Sequence, residues 1–282
     1  MEETITDAYV PAEMAKRAEA SAIRKANRDF VSAFFLAVQA GSFIAFGAAF
    51  FTLAVHDSAL GVGLTKLIGG MTFSLGLVLV IIAGADLFTG DTLMVMGCFT
   101  GKIKVRQMLR SWVFVFFGNL AGALAIVAMV HCSGHWLGNG GAVGAKALAI
   151  ANAKVNLTFQ QAFCSGMLCN ILVCLAIWLC YSSRSVTDKI LSILFPITAF
   201  VAMGFEHSIA NMYFIPAGLV LKHNPEIAGM LNGTDLSNLT LSGFLVDNLL
   251  PVTLGNMIGG AIFVGTIYWI LYLRKQEDHS TE

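Results

Sequence analysis

Long apolar runs separated by short polar segments are the dominant pattern of the chain. Six such runs can be distinguished, at residues 30–55, 64–99, 111–131, 157–181, 190–221 and 244–273. Each run contains at least the roughly 20 residues that a helix needs to cross the hydrocarbon core of a bilayer. The pattern therefore predicts six transmembrane helices and an all-α membrane protein.

The second and fifth runs are interrupted by polar residues. The second run changes character at Gly84 and carries Asp86 and Thr89 before apolar residues resume at Thr92, and the fifth is interrupted at residues 204–208. Polar groups deep in hydrocarbon are costly unless they are paired or face a cavity. Irregular backbone at that depth is tolerated only where protein or a cavity surrounds it. We therefore expect both helices to be broken at mid-membrane.

The two halves of the chain resemble each other. The third run contains Gly-Asn-x-x-Gly at residues 118–122, and the sixth contains it at residues 255–259. Each interrupted run has an acid two residues after a glycine, at residues 84–86 and 204–206. Three spans per half is an odd number, so the halves must be inverted relative to each other. An inverted 3+3 repeat is typical of a pore or a transporter.

Composition and charge agree with a membrane protein and set its orientation. The chain is 57% hydrophobic and 12% charged, with a mean hydropathy of +0.76. Its formal net charge is zero, so no nucleic-acid partner is expected. Of the 17 lysines and arginines, 13 fall on one side of the predicted spans, which places both termini in the cytoplasm.

The charge pattern also predicts three segments. Residues 1–29 are expected to form a cytoplasmic, amphipathic N-terminal helix that lies along the membrane surface. Residues 30–273 form the six-helix pore domain, and residues 274–282 form a cytoplasmic tail. The six cysteines lack Cys-x-x-Cys spacing and are interpreted as packing thiols. We expect no metal site and no cofactor.

Polar residues at the interruptions are the candidate functional groups. His207 lies beside Glu206 and Ser208, and its imidazole titrates near neutral pH, so it could serve a pore. The alternative is a satisfied core histidine. Thr89, in the other interruption, could orient this imidazole, or its hydroxyl could bond its own backbone.

Several neighbouring residues have a structural and a functional interpretation. Asp86 and Glu206 could satisfy the backbone N–H groups that their own breaks expose, and Asn211 could help to brace the second break. Amides within the spans either hold helices together or line a path: Asn119, Asn170, Asn211 and Asn256. Lys154 lies just outside the fourth span, where a fixed positive charge would concentrate anions.

Large apolar side chains flank the interruptions. They either pack the helices or constrict a pore by excluding water: Phe73, Leu77, Leu87, Phe88 and Phe200.

The segments at the two interruptions resemble those of the formate/nitrite transporter family. The resemblance rests on residues 84–89 (GADLFT) and above all on residues 204–212 (GFEHSIANM). It includes Asn170 with residues 173–178, and residues 247–256, and so covers nearly the whole chain. Gly90 and Asp91 depart from bacterial formate channels, which carry small hydroxyl residues there; a glycine is closer to nitrite-transporting members.

The resemblance implies an aquaporin-like protomer of six helices within a homopentamer, each protomer with its own pore for a small monovalent anion. It implies that Thr89 and His207 form a central polar pair, that Lys154 is a vestibule lysine, and that Asn170 and Asn256 line the path. The apolar constrictions would be Phe73, Leu77, Leu87 and Phe200. The N-terminal helix would correspond to a gate at the cytoplasmic mouth.

Formate transport across the cytoplasmic (inner) membrane is the leading interpretation. An anion at the midplane would be desolvated, which raises its proton affinity. His207 could then donate a proton, so that the neutral acid crosses the constrictions. The expected partners are formate, protons and the lipid bilayer.

Other functions are weaker alternatives. Nitrite and hydrosulfide are the nearest, because they are monovalent and of similar size. A water or glycerol channel would need Asn-Pro-Ala at the interruptions, and neither has it. An intramembrane protease would need a nucleophile with a base or a metal site, and the chain contains no Gly-x-Ser-x-Gly or His-Glu-x-x-His. We therefore do not expect an enzyme.

Overall fold

The computed structural model describes residues 8–274, which form helices and contain no strand. Residues 1–7 and all but the first residue of the predicted tail lie outside the described residues. Five continuous helical segments are long and apolar enough to cross a membrane: Phe30–Val55, Val62–Ala83, Val105–Cys132, Phe159–Ser182 and Gly243–Tyr272. The expectation of an all-α protein with membrane-spanning helices is confirmed.

The α-helices follow one another with short connections. In chain order they are α1 (Pro11–Ala26), α2 (Phe30–Val55), α3 (Val62–Phe73), α4 (Leu75–Ala83), α5 (Phe88–Asp91), α6 (Val95–Phe99), α7 (Val105–Cys132), α8 (Ala142–Val155), α9 (Phe159–Ser182), α10 (Val186–Ala202), α11 (Ser208–Leu221), α12 (Pro225–Gly229), α13 (Leu250–Gly260) and α14 (Ile267–Tyr272). Wider π turns at Gly243–Leu249 and Ala261–Thr266 flank α13. They join it to α14 in one long segment.

The second and fifth predicted runs each form more than one helix. In the second run, α3 and α4 meet at Ser74, whose hydroxyl donates to the carbonyl of Gly70 (3.0 Å), a bond that bends helices. Together they are long enough to span a membrane before the chain leaves helical geometry at Gly84. In the fifth run, α10 and α11 are shorter and residues 203–207 separate them.

Two helix pairs are in close contact along their lengths, and each brings a Gly-Asn-x-x-Gly sequence into the contact. α7 lies along α2, and α13 lies along α9. A Cβ atom on Gly122 would stand 1.9 Å from the carbonyl oxygen of Val38, and one on Gly259 would stand 2.3 Å from that of Met167. No side chain fits these gaps, so glycine permits the close backbone approach that packs helices in a membrane.

The N-terminal helix packs against protein. α1 begins at a proline and buries its alanine face, including Ala15, Ala18 and Ala22, against α6, α9 and their neighbours. The apolar face of α1 is therefore in contact with protein among the described residues. The charged face of α1 remains available to a cavity that is described below.

α8 was not predicted from the sequence. The segment between the third and fourth runs is rich in glycine and alanine, and no apolar stripe distinguishes it. In the structure α8 packs against α11. It thereby brings Lys154 to the second interruption.

Candidate functional site

Each interruption begins at a glycine with left-handed backbone geometry. Gly84 has a φ of 86° and Gly204 a φ of 76°. Residues with a Cβ are strained in this region, which makes glycine the residue that ends a helix in this way. The chain then passes through extended geometry at Leu87 and at His207, and α5 and α11 begin at the next residue.

Asn119 of α7 holds the first interruption together. Its Nδ2 donates to the backbone carbonyl of Asp86 (3.0 Å), and its Oδ1 accepts the backbone N–H of Phe88 (2.9 Å). Nδ2 also donates to the carbonyl of Ala37 in α2 (2.7 Å). One buried amide therefore satisfies backbone groups on both sides of the break and ties them to two other helices.

Asn256 of α13 makes the same three contacts at the second interruption. Its Nδ2 donates to the carbonyl of Glu206 (3.0 Å) and to that of Gly166 in α9 (2.8 Å), and its Oδ1 accepts the N–H of Ser208 (2.9 Å). Its amide is fully buried and is occupied by these bonds. The structure therefore places Asn256 in the scaffold of the break, which differs from the path-lining position that the resemblance implied.

Asp86 and Glu206 do not brace the breaks in the expected manner. Among the described residues, neither carboxylate accepts a backbone N–H; each is bonded to side chains from other elements. The amides of Asn119 and Asn256 supply the bonds that these acids were expected to supply. The carboxylates instead connect each break to a positively charged residue.

Glu206 lies at the centre of a buried polar network. Its Oε1 accepts from Lys154 Nζ (2.7 Å), and its Oε2 accepts from Asn211 Nδ2 (2.7 Å) and Asn248 Nδ2 (3.2 Å). Asn211 also donates to Asn248 Oδ1 (2.7 Å). Asn211 thus supports the interruption through Glu206. Asn248 was missed by the sequence analysis, although a buried amide within an apolar run was the signal that could have found it.

Asp86 and Asp91 are paired with cations near the end of α1. The Asp86 carboxylate contacts the guanidinium of Arg28 and lies 3.4 Å from Lys25 Nζ. Lys25 also pairs with the Asp91 carboxylate, while Trp112 donates its indole N–H to the carbonyl of Asp91 (2.9 Å). These ion pairs attach α1 to the first interruption, and nothing in the periodicity of the sequence indicated them.

Thr89 and His207 are in contact where the two interruptions meet. Both are buried, and Thr89 Oγ1 lies 2.9 Å from His207 Nε2. The backbone N–H of Ala210 donates to His207 Nδ1 (3.1 Å). Because an amide N–H can only donate, we assign Nδ1 as the acceptor and place the proton of the neutral imidazole on Nε2. His207 therefore presents an N–H donor toward Thr89.

Asn170 of α9 lies directly behind this pair. Its Nδ2 donates to the carbonyls of Thr89 (3.1 Å) and Asn256 (2.7 Å) and lies 3.2 Å from Thr92 Oγ1. The side chain is fully buried and lines neither of the cavities described next. It links the two interruptions to each other, and its contacts are with the scaffold.

A cavity of about 660 Å³ reaches His207 from the side of α8. Lys66, Lys146 and Lys154 contribute to its wall, and we refer to it as the lysine cavity. Glu206 also lines it, close to the end that contacts His207. The placement of Lys154 in this cavity agrees with the vestibule position that the resemblance implied.

A second cavity, of about 460 Å³, approaches from the side of α1 and is referred to as the α1 cavity. Arg17 and Lys25 of α1 line it, as do Asp86, Leu87 and Gly90 of the first interruption. Leu87 lies two residues before Thr89 in the sequence, and Gly90 directly follows it. The polar pair therefore lies between the two cavities.

Three of the five apolar residues expected at constrictions line a cavity. Phe73 and Phe200 meet edge to face, with ring centroids 5.7 Å apart, and both line the lysine cavity. The ring of Phe200 also stacks on His207 at 6.0 Å. Leu87 lines the α1 cavity, and Leu77 is buried between the helices without lining either one.

Phe88 is not placed at a constriction. Its ring contacts Trp112 (6.2 Å) and Phe116 (5.1 Å) of α7 edge to face, and it lines neither cavity. The alternation of the chain at the start of α5 explains this, because successive residues point in different directions and Thr89 faces His207. Among the described residues Phe88 packs against α7.

The chemistry of a protease is not assembled in the described part of the chain. The ring of His207 contacts Thr89 and Ala210, and the buried hydroxyl of Ser208 has no hydrogen-bond partner among the described residues. Residues 8–274 also contain no cluster of histidine, cysteine or acidic residues that could hold a metal ion. The contacts of Thr89 and His207 are those of a polar pair between two cavities.

Comparisons with known proteins agree with this geometry. A family model described as "Formate/nitrite transporter" matches residues 12–270. The chain is 43% identical to the formate channel FocA of Escherichia coli strain K12, over 97% of this chain and 98% of that protein. It is also 43% identical to FocA of Haemophilus influenzae, over 92% and 93% of the two chains.

A solved structure described as a pentameric formate channel with formate bound superimposes with a TM-score of 0.78. It is 40% identical, and the match covers 87% of this chain and 98% of that one. The related proteins named here are channels. Sequence and structure therefore agree that this chain belongs to the formate/nitrite transporter family.

Proposed function

We propose that this protein is a channel for formate, with the Thr89–His207 pair as the point where the anion is recognised. The observation that carries the proposal is the position of this buried pair between the lysine cavity and the α1 cavity. The relatives that are named formate channels, and the related structure with formate bound, support formate as the cargo.

The wider architecture belongs to the same proposal. The two halves form an inverted 3+3 repeat, and its support is the matching set of bonds made by Asn119 and Asn256. The interruptions then lie near the membrane midplane. The pore domain spans residues 30–273, both termini lie in the cytoplasm, and the protein sits in the inner membrane. The pentameric state of the related channel supports a homopentamer.

Chemistry at the pair follows from the hydrogen bonds of His207. Its Nε2–H is available to an anion that displaces Thr89 Oγ1, and the aromatic ring of Phe200 limits access on the lysine-cavity side. Loss of water raises the proton affinity of the anion. For a full proton transfer, His207 must first carry a second proton, on Nδ1. That proton occupies the position at which Nδ1 accepts the N–H of Ala210, so this hydrogen bond must break. The proton step is therefore coupled to the start of α11.

The α1 cavity is the cytoplasmic mouth in this proposal. α1 forms part of its wall, and the ion pairs of Arg28 and Lys25 hold the helix there. Release of these pairs, together with unpacking of the alanine face of α1, would widen the cavity without breaking a long helix. α1 thus serves as a gate.

Formate flux into proteoliposomes tests the proposal. His207→Phe removes every polar atom of the ring, whereas His207→Asn keeps an oxygen that can accept the N–H of Ala210 but cannot titrate. We expect the Phe variant to lose most of the flux. The Asn variant should retain flux and lose the pH dependence that a titrating imidazole confers. If His207→Phe carries formate at the wild-type rate with the wild-type pH dependence, the proton role is wrong.

Nitrite or hydrosulfide is the second candidate cargo, and Gly90 is the observation that favours it. A Cβ on Gly90 would stand 2.6 Å from the terminal methyl group of Ile177, so a hydroxyl residue at this position would require that side chain to shift. Competition of each anion with labelled formate ranks the three. If nitrite competes far better than unlabelled formate, formate is not the principal cargo.

A further inference from the structure

Only one of the three lysines in the lysine cavity is neutralised. Lys154 was expected to supply the charge that concentrates anions, yet its Nζ lies 2.7 Å from Glu206. Lys66 and Lys146 have no carboxylate oxygen within 4.0 Å among residues 8–274. The uncompensated positive charge of this cavity therefore belongs to Lys66 and Lys146.

The same two lysines line a smaller neighbouring cavity of about 400 Å³, which we refer to as the rim cavity. Thr65 and Val55 also line both cavities, so the two spaces share a wall. The one carboxylate on the wall of the rim cavity, that of Asp57, is 3.4 Å from Asn139 Nδ2 and forms no ion pair among the described residues. Lys66 and Lys146 thus lie at the junction of the two spaces.

α3 adds positive potential at this junction. The helix begins at Val62, which lines the rim cavity, and no side chain caps its first turn. The N-terminus of a helix carries the equivalent of roughly half a positive charge, which favours anions. Two lysines and the helix end therefore face a single carboxylate, that of Asp57, and positive charge is in excess in this small volume.

We propose that Lys66 and Lys146 form a loading site for small monocarboxylate anions at the entrance of the lysine cavity. The site raises the local concentration of the anion before it reaches the buried pair. The neutral acid carries no charge and is not concentrated in this way. Charges that line a cleft with apolar walls raise the association rate of an ion of opposite sign. The inference rests on the proposed function, because formate is the anion that it loads.

The test compares charge removal at the junction with charge removal elsewhere. Lys66→Gln combined with Lys146→Gln removes both charges, and the paired arginine variant retains them. Lys222→Gln is the matched control, because Lys222 lines none of the three cavities and its Nζ donates to the carbonyl of Leu239 (2.7 Å). Formate uptake is measured in right-side-out and inside-out membrane vesicles.

We expect the double glutamine variant to raise the KM for formate roughly threefold to tenfold at about 10 mM ionic strength, with maximal flux unchanged. The change should appear only when formate is supplied on the α8 face. It should disappear at about 0.5 M salt, where the Debye length is only about 4 Å. The arginine variant and Lys222→Gln should keep the wild-type KM.

Two results are distinguishable as failures. Wild-type protein without formate flux overturns the proposed function and this inference with it. Wild-type flux combined with an unchanged KM in the double glutamine variant overturns the loading site alone. The same holds if the KM rises equally on both faces or does not respond to salt.

Discussion

The two interruptions have the same scaffold, but different elements neutralise their carboxylates. Asp86 is paired with Arg28 and Lys25, which lie at or just after the end of α1. Glu206 is paired with Lys154 of α8 and bonded to two amides. One cation group comes from a helix at the N-terminal edge of the fold, and the other from a helix that packs along α11.

The ion pairs of Asp86 and the ion pair of Glu206 differ in how easily they can be released. The side chains of Lys25 and Arg28 are 22% and 26% exposed, whereas that of Lys154 is 15% exposed. To leave the first interruption, α1 has to unpack its alanine face, but no long helix breaks, because α1 precedes all of them. Lys154 cannot leave the second without unpacking α8 from α11. The gate proposed above would therefore act at the first interruption, and the second would hold a fixed geometry.

The strongest test of the shared scaffold is removal of each clamp amide. Asn119→Ala and Asn256→Ala each delete three hydrogen bonds of a fully buried side chain and leave backbone groups unsatisfied. We expect each change to lower the free energy of unfolding by about 3 to 4 kcal/mol. Reversible unfolding by SDS in mixed micelles measures this quantity.

Asn152→Ala provides the control, because this residue donates a single bond, to the carbonyl of Asp235 (3.0 Å), and also accepts from Asn156 at the end of α8. Its effect should be about 1 kcal/mol. If one clamp variant is as mild as the control while the other unfolds the protein, the two interruptions do not share a scaffold.

The next largest effect should separate the two carboxylates. Glu206→Gln leaves Lys154 without its partner in a largely buried position, which should cost about 3 kcal/mol. Asp86→Asn leaves Arg28 and Lys25 partly exposed, so about 1 kcal/mol is expected after solvent screening. Asp86→Asn should in addition speed the cleavage of α1 by trypsin at Lys25 or Arg28, and Glu206→Gln should not.

Limited proteolysis in micelles, read out by mass spectrometry, measures that release. The comparison between the two regions breaks down if Glu206→Gln exposes α1 to trypsin. It also breaks down if Asp86→Asn leaves α1 as protected as in the wild type.

An effect of similar size to that of Asp86→Asn is expected at the two glycines. Gly84→Ala and Gly204→Ala place a Cβ in open space but in a left-handed backbone. Each should therefore cost about 1 to 2 kcal/mol through strain alone. Gly61→Ala is the matched control, because its Cβ is equally free and its φ is −53°. Unequal costs at Gly84 and Gly204, measured by SDS unfolding, would show that one break is stabilised by more than its backbone.

The sequence predicted those parts of the fold that composition and periodicity control. Apolar runs located the long helices, and the polar residues at Gly84 and Gly204 located the interruptions. The paired Gly-Asn-x-x-Gly sequences marked Asn119 and Asn256, although they could not distinguish a clamp from a path-lining amide. That distinction depends on where the Nδ2 and Oδ1 atoms find partners, which only the folded chain determines.

Contacts between distant segments could not be predicted. Lys154 and Glu206 are 52 residues apart, and no local pattern indicates that they pair. The packing position of α1 was missed because an alanine face packs equally well against lipid or protein. α8 was missed because its alanine-rich sequence carries little periodic signal, and its position depends on packing against α11.

The positions of the two clamp amides also bear on how the chain can assemble. Asn119 lies in α7, and its partners Ala37, Asp86 and Phe88 all precede it in the sequence. Asn256 in α13 likewise follows all of its own partners. A polar amide entering hydrocarbon therefore finds its acceptors already synthesised. The hydrogen bonds at each interruption can therefore form in the order of translation. In each half, the helix that carries the clamp amide completes them.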